Sequence, residues 1–462
     1  MHQNDTIIAL ATPSGAGAIA VIRLSGPDAI HLVDAFFKSI HDKKLVHQKT
    51  HTIHLGHITE SGRVIDEVLV SVFINPKSYT GENVVEISCH GSSYIQQEII
   101  QLFVRNGARI ANPGEFTLRA FLNAKLDLSQ AEAVADLIAS DNKASHQIAM
   151  QQMRGGFSNE IKVLRDELLN FASLIELELD FSEEDVEFAD RKQFEDLLQR
   201  IIKVLKHLID SFSTGNVIKN GIPISIVGAP NVGKSTLLNA LLNEEKAIVS
   251  DIAGTTRDAI EDEITIEGIK FRFIDTAGIR TTEDTIESIG IKKTFEKITQ
   301  SQVVLYLLDA SKVTTETITL FNNDIQKIQE QYPDKQLIVV ANKMDQADKV
   351  FIETSFVYPH TLYTSAKSGL GIDALKTKLL EFVNTGALRN NDTIITNSRH
   401  YDSLLKALSD VQKVQQGMDA QLSGDLLAID IRQALYHFGE ITGEITSDDL
   451  LGNIFANFCI GK

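Results

Sequence analysis

The sequence has little of what would place it outside a reducing compartment. Two of its 462 residues are cysteine, Cys89 and Cys459, too few for a disulfide framework. No apolar run approaches the roughly 20 residues of a membrane-spanning helix. The first residues, Met1-His2-Gln3-Asn4-Asp5, lack a basic stretch, so no secretory signal is expected. A cytoplasmic protein without membrane contact is therefore anticipated. Positive charge is also in deficit: 44 lysines and arginines stand against 62 acids, a net charge of −18. Such a surface repels nucleic acid as a whole. Any RNA contact needs a local basic patch or a basic partner. No internal repeat is visible. Apolar content of 43% and charged content of 23% are ordinary for a soluble globular chain. Its length asks for two or three domains.

What is present centres on Gly228-Ala229-Pro230-Asn231-Val232-Gly233-Lys234-Ser235. An apolar β-type run, Ile222–Val227, precedes it, and a helical run opening at Thr236 follows. Strand, G-x-x-x-x-G-K-S, helix is the context of a phosphate-binding loop. Its glycines let backbone N–H groups and the helix start converge on an anion. Lys234 should reach the β- and γ-phosphates, which makes it a catalytic candidate, and Ser235 should ligate Mg²⁺.

Around this loop the chain divides by pattern. Residues 6 to about 122 alternate strand-like runs (Thr6–Ala11, Ala18–Leu24, Thr52–Ile58, Val64–Ile74, Val84–Cys89) with helical patterns at Asp28–Ser39 and Ser93–Asn106. An α+β domain over 1–122 is expected. Helix pattern dominates 123–216, with Ser129 as a helix N-cap and Ser213-Thr214-Gly215-Asn216 as a short linker. Strands and helices alternate over 217–385, as a parallel α/β sheet requires. Strands are expected at Ile222–Val227, Val303–Leu308 and Leu337–Ala341, with a hairpin of Ala259–Ile266 and Lys270–Asp275. Helix pattern returns over 386–462. The economical arrangement inserts the α/β domain into one helical domain.

Four further motifs follow the phosphate loop in order. Gly254-Thr255-Thr256 can complete the Mg²⁺ shell through Thr256. Asp275-Thr276-Ala277-Gly278 offers a carboxylate to the metal's outer shell and an N–H to the γ-phosphate. Where Ras-type enzymes then carry a water-orienting glutamine, this chain has Ile279. Asn342-Lys343-Met344-Asp345 places the Asp345 carboxylate to accept from guanine's ring N–H and amine, a pair adenine lacks. Ser365-Ala366-Lys367 adds contacts to the base. The GTP-binding set is then Asn231, Val232, Gly233, Lys234, Ser235 and Thr236, the loop residues Ser250, Asp251, Ile252, Ala253, Gly254, Thr255 and Thr256, and the members just named.

The flanks narrow this further. Ala11-Thr12-Pro13, Arg23-Leu24-Ser25-Gly26, Tyr79-Thr80-Gly81-Glu82, Pro113-Gly114-Glu115-Phe116, Lys125-Leu126-Asp127-Leu128 and Cys459-Ile460-Gly461-Lys462 resemble the MnmE (TrmE) family of tRNA modification GTPases. The resemblance runs from residue 5 to 462. It implies a potassium site, with Asn231, Ser250, Ile252 and Thr255 as ligands, and Glu287 as the residue that orients water. It implies an N-terminal domain similar to folate-dependent aminomethyltransferases, binding 5-formyltetrahydrofolate at a homodimer through Arg23, Glu86, Lys125 and Lys462. It also implies a flavin-containing partner, MnmG (GidA), and a 5-aminomethyl or 5-carboxymethylaminomethyl product at the wobble uridine of tRNA.

Several of these residues have plainer roles open to them. Glu287 could simply favour a helix N-terminus. Arg23, Glu86 and Lys125 could be surface salt bridges. Cys459 could be an inert cysteine, or a reactive thiol if the family's placement near the folate holds. Cys459-Ile460-Gly461-Lys462 imitates a prenylation box, but Gly461 is not aliphatic and lysine is atypical at its end. The competing function is a regulatory or ribosome-assembly GTPase switch without modification activity.

Overall fold

The computed structural model describes residues 5–180, 190–243, 262–274, 298–355, 358, 361–381, 393–456, 458–459 and 461. The chain forms two compact units. One gathers Met1–Ala139, Ala149–Lys206 and Asp402–Lys462; the other takes Ser140–Ile148 and His207–Tyr401. Among the described residues no helix is long and apolar enough to cross a membrane.

In the first unit a seven-stranded sheet has the order β3-β4-β5-β6-β2-β1-β7. Its strands are β1 (Ile7–Leu10), β2 (Ile19–Ser25), β3 (Phe37–Ser39), β4 (Thr52–Glu60), β5 (Arg63–Phe73), β6 (Val84–His90) and β7 (Arg109–Ile110). All neighbours run antiparallel except β1 and β7. Alternation along β2 and β6 sends Ile22, Leu24, Val85 and Ile87 into one core. Helices Ala29–Phe36 and Ser93–Arg105 cover that face with Ala29, Val33, Ile99, Leu102 and Phe103. Arg23 and Glu86, the alternate residues, are left on the other face. The remaining helices of this unit include Glu115–Leu122, Leu128–Ala139, Gly156–Asp180, Gly424–Thr442 and Asp448–Ala456.

The second unit holds a six-stranded sheet of order β13-β12-β11-β8-β10-β9. These strands are β8 (Ile222–Val227), β9 (Asp262–Ile266), β10 (Ile269–Phe273), β11 (Val303–Asp309), β12 (Gln336–Asn342) and β13 (Thr361–Tyr363). Only the β9–β10 hairpin is antiparallel. Strands β8, β11 and β12 are apolar and almost fully buried, as parallel strands covered on both faces must be. Ala144, Ile148, Ile218 and Ile394 join their core, so this unit extends beyond 217–385 in sequence.

Three local expectations are corrected. The helix expected through Ser39 ends at Phe36, and Phe37–Ser39 becomes an edge strand. Phe37 is buried opposite Ile58, and Gly56 lets the Lys38 carbonyl approach where any Cβ would collide. The expected linker 213–216 lies inside a continuous helix, Arg191–Asn220. Gly215 is a packing residue there, because a Cβ would strike the Ile395 carbonyl. Ser211 accepts from the Ile395 N–H at 3.1 Å, and Phe212 stacks on Tyr401 with centroids 4.3 Å apart. The helix at 128 is capped by Asp127, not Ser129. Asp127 accepts from the Gln130 N–H at 2.8 Å and Gln130 accepts from the Asp127 N–H at 2.9 Å, a reciprocal capping box. Ser129 is fully buried and accepts from the Gln152 amide.

Two arginines knit β7, the start of the chain and helix Glu115–Leu122. Arg119, its side chain 7% exposed, donates to Asp5, Glu82 and Glu115. Arg109 donates to Asp5 at 2.6 Å and to Glu115 at 2.5 Å. Burial alone would raise the Asp5 and Glu115 carboxyls, but the arginine hydrogen bonds outweigh it and hold both below their usual range. Depressed carboxyls stabilise the fold above the ordinary carboxylate range and lose that contribution as pH falls through about 4 and below. Replacing Arg119 by leucine leaves buried acids short of a partner. The expected cost is about 3 kcal/mol, read as a lower urea midpoint at pH 7. The variant's midpoint should also depend less steeply on pH between about 5 and 3 than the wild type's.

Candidate functional site

Strands β8, β11, β12 and β13 run parallel, so their C-terminal ends share one edge of the sheet. Ligands of open α/β sheets bind at that edge. The loops leaving it carry the nucleotide motifs.

The first loop follows β8. Gly228 opens it at φ +151°, with the Leu307 carbonyl where a Cβ would stand. Asn231 is left-handed at φ 63°. Gly233, at φ +99°, lies so close to the Asn342 amide that no side chain would fit. Helix Lys234–Asn243 starts at once, with Ser235 and Thr236 in its first turn, where N–H groups lack intrahelical partners. The Lys234 ammonium donates to the Gly228 carbonyl at 2.7 Å.

The second loop follows β12 and grips the first. Asn342, 2% exposed, donates from Nδ2 to the Val232 carbonyl at 3.0 Å. Its Oδ1 accepts from the Ala366 N–H at 2.9 Å and from Thr364 Oγ1 at 3.3 Å. Lys343, left-handed at φ 65°, sends Nζ to the Asn231 carbonyl at 2.7 Å and to Asp309 Oδ2 at 2.7 Å. Asp345 is exposed and accepts from Ser365 Oγ at 2.7 Å. That hydrogen bond, with a smaller contribution from Lys367, holds the Asp345 carboxyl below the usual range. It presents an ionised acceptor.

The structure thus brings Asn231, Val232, Gly233 and Lys234 together with Asn342, Lys343, Asp345, Ser365 and Ala366. Ser250, Asp251, Ile252, Ala253, Gly254, Thr255, Thr256, Asp275, Thr276, Ala277, Gly278, Glu287 and Lys462 lie outside the described residues. One residue of the site escapes the sequence reading. Asp309 ends β11 beside Asn342, its register partner. It is 4% exposed and binds Lys343. Its only mark in the sequence is a single acid closing an apolar run. Burial would raise its carboxyl, but hydrogen bonds from Lys343 and Ser311 prevail and hold it low.

In the first unit, Arg23 and Glu86 are direct cross-strand partners of β2 and β6. Arg23 donates to Glu86 from Nε at 2.9 Å and from Nη2 at 2.7 Å. The rings of Tyr79 and Phe116 flank its guanidinium, each centroid 5.6 Å away. Its Nη1 reaches the Gly461 carbonyl at 3.3 Å. Lys125 is not in this cluster's hydrogen bonds; its ammonium donates to the Pro76 carbonyl at 3.1 Å. Cys459 is exposed, and its carbonyl faces the Gly114 N–H at 3.4 Å.

A G-x-x-x-x-G-K-S loop and an N-K-M-D loop tied together at the carboxyl edge of a parallel sheet define a P-loop nucleotide-binding protein of the GTPase class. Comparison with known proteins carries this to a family. The model described as "MnmE helical domain" matches residues 128–459, and that described as "GTP-binding protein TrmE N-terminus" matches 6–125. The tRNA modification GTPase MnmE of Christiangramia forsetii is 67% identical over 474 residues, with each chain covered in full. That of Flavobacterium johnsoniae is 67% identical, again over all of both chains. That of Cytophaga hutchinsonii is 56% identical over 100% of this chain and 98% of its own. The chain belongs to the MnmE family of tRNA modification GTPases.

Replacing Asn342 by alanine removes the partner of the buried Val232 carbonyl and Ala366 N–H together. The expected loss is about 2 kcal/mol of stability and about tenfold or more in GDP affinity. Urea unfolding and titration with a fluorescent GDP measure the two. Wild-type affinity would mean that the phosphate loop keeps its shape without this amide.

Proposed function

We propose that the protein hydrolyses GTP to drive modification at carbon 5 of the wobble uridine of certain tRNAs, together with a flavin-containing partner of the MnmG (GidA) type. The observation that supports the nucleotide half is the tie between the two loops, with the ionised Asp345 offering an acceptor for guanine's two donors. Lys234 would exchange the Gly228 carbonyl for phosphate oxygens. Mg²⁺ would be held by Ser235 and Thr256. Potassium would be held by Asn231, Ser250, Ile252 and Thr255. Hydroxyl, amide and carbonyl oxygens are donors such hard cations accept. A monovalent cation beside the phosphates would offset charge on the transferring phosphoryl group. Glu287 would orient the attacking water in place of a residue at Ile279.

The one-carbon half rests on the Arg23–Glu86 pair. A 5-formyltetrahydrofolate would place carboxylates against Arg23, Lys125 and Lys462, and pterin donors against Glu86. The flanking Tyr79 and Phe116 rings suit a flat heterocycle. The same sheet face exposes Ile53 (66%), Leu55 (38%) and Leu69 (45%), which supports a homodimer through this domain. Dimerisation would hold two GTPase domains at high local concentration, so that GTP closes the pair and hydrolysis opens it.

Two measurements test this reading. Nucleoside composition of tRNA from cells lacking the protein should show an unmodified wobble uridine where wild-type cells carry the aminomethyl-type group. An unchanged composition would remove the modification role. GTP turnover at fixed ionic strength should be about tenfold or more faster in potassium than in sodium. Equal rates would remove the potassium site.

A further inference from the structure

Lys343 performs a task that its own backbone does not secure. A lysine stem has many rotamers, and its ammonium gains by reaching water. Here the ammonium is instead drawn back across the end of β11 onto the Asn231 carbonyl. What draws it is Asp309. The Asp309 carboxylate is oriented by contacts other than Lys343: Oδ1 accepts from the Ser311 N–H at 3.1 Å and from Ser311 Oγ at 2.6 Å. This leaves Oδ2, at 2.7 Å, for Lys343. Both residues joined by the Lys343–Asn231 hydrogen bond hold left-handed backbone, at φ 65° and 63°. Non-glycine residues keep that conformation only where their surroundings fix it.

We propose that Asp309 is a positioning residue for nucleotide binding. It holds the Lys343 ammonium on the Asn231 carbonyl, and so fixes the spacing between the loop that reads the base and the loop that holds the phosphates. This rests on the assignment of residues 342–345 to the base. A guanine nucleotide spans both loops, so affinity depends on that spacing. Once nucleotide saturates the site, its own contacts set the spacing, and turnover should change little.

The test uses the full-length chain. Asp309→Asn is expected to raise the Kd for GDP about tenfold or more, through faster dissociation of a fluorescent GDP. KM for GTP should rise in step while kcat stays within about twofold. The unfolding midpoint of the nucleotide-free protein should stay near the wild-type value. Lys343→Met should weaken binding similarly, and the double variant should be no weaker than the weaker single one. A Kd within about twofold of wild type, a fall in midpoint with unchanged KM, or losses that multiply in the double variant would each overturn the proposal. If Asp309→Asn does not fold, Ser311→Ala loosens the carboxylate while keeping the ion pair. It should raise Kd by a smaller factor, and no rise would overturn the proposal. Asp345→Asn serves as the control for the loop assignment. It should shift preference from guanine to xanthine nucleotides. No shift would sink the base-loop assignment separately, whatever Asp309→Asn does to affinity.

Discussion

A loop that turns its N–H groups inward toward an anion turns its carbonyls outward, and buried carbonyls need donors. In this protein the donors come from the loop after β12: Asn342 serves the buried Val232 carbonyl, and Lys343 serves the carbonyl of the exposed Asn231. The sheet order explains the choice of side chains. β12 and β8 are separated by β11, so their ends lie about 10 Å apart. A long cationic side chain can cross that gap, and an acid at the end of the intervening strand can hold it there. The Gly228–Ser235 loop and the Asn342–Asp345 loop are therefore joined by one set of hydrogen bonds.

The first unit meets a different problem with related means. A chain of net charge −18 concentrates two arginines where its acids meet. Arg119, 7% exposed, is enclosed by Asp5, Glu82 and Glu115, while Arg109, 42% exposed, bridges Asp5 and Glu115. Arg23 is different: one carboxylate holds it, two aromatic rings flank it, and it faces outward from the sheet.

Much of this was legible in the sequence because it rests on local pattern. Ile222–Val227 announces a buried strand by its unbroken apolar run, and the glycines after it announce a loop that only glycine can make. The α+β character of the first domain follows from alternation along β2, β5 and β6. What resisted reading depends on contacts from far along the chain. Gly215 looks like a linker until Ile395 arrives beside it. Phe37 continues a helical pattern until Gly56 offers it an edge. Asp309 is one acid among 62 acidic residues until β12 brings Lys343 to it. Ser129 and Asp127 both suit an N-cap, and only the answering Gln130 side chain decides between them.

Gly461 sits at φ +96° against the Leu10 carbonyl, too close for any side chain. The last stretch of the first unit therefore closes onto its first strand, whereas every residue of the second unit precedes residue 402. Chains emerge from the ribosome N-terminus first, so this contact joins residues made at opposite ends of synthesis. The seven strands of the first unit's sheet all precede residue 111, whereas the segment at Gly461 that packs on Leu10 follows the whole of the second unit. The packing of Gly461 on Leu10 is thus a contact that can form only after the strands of both sheets have their sequence.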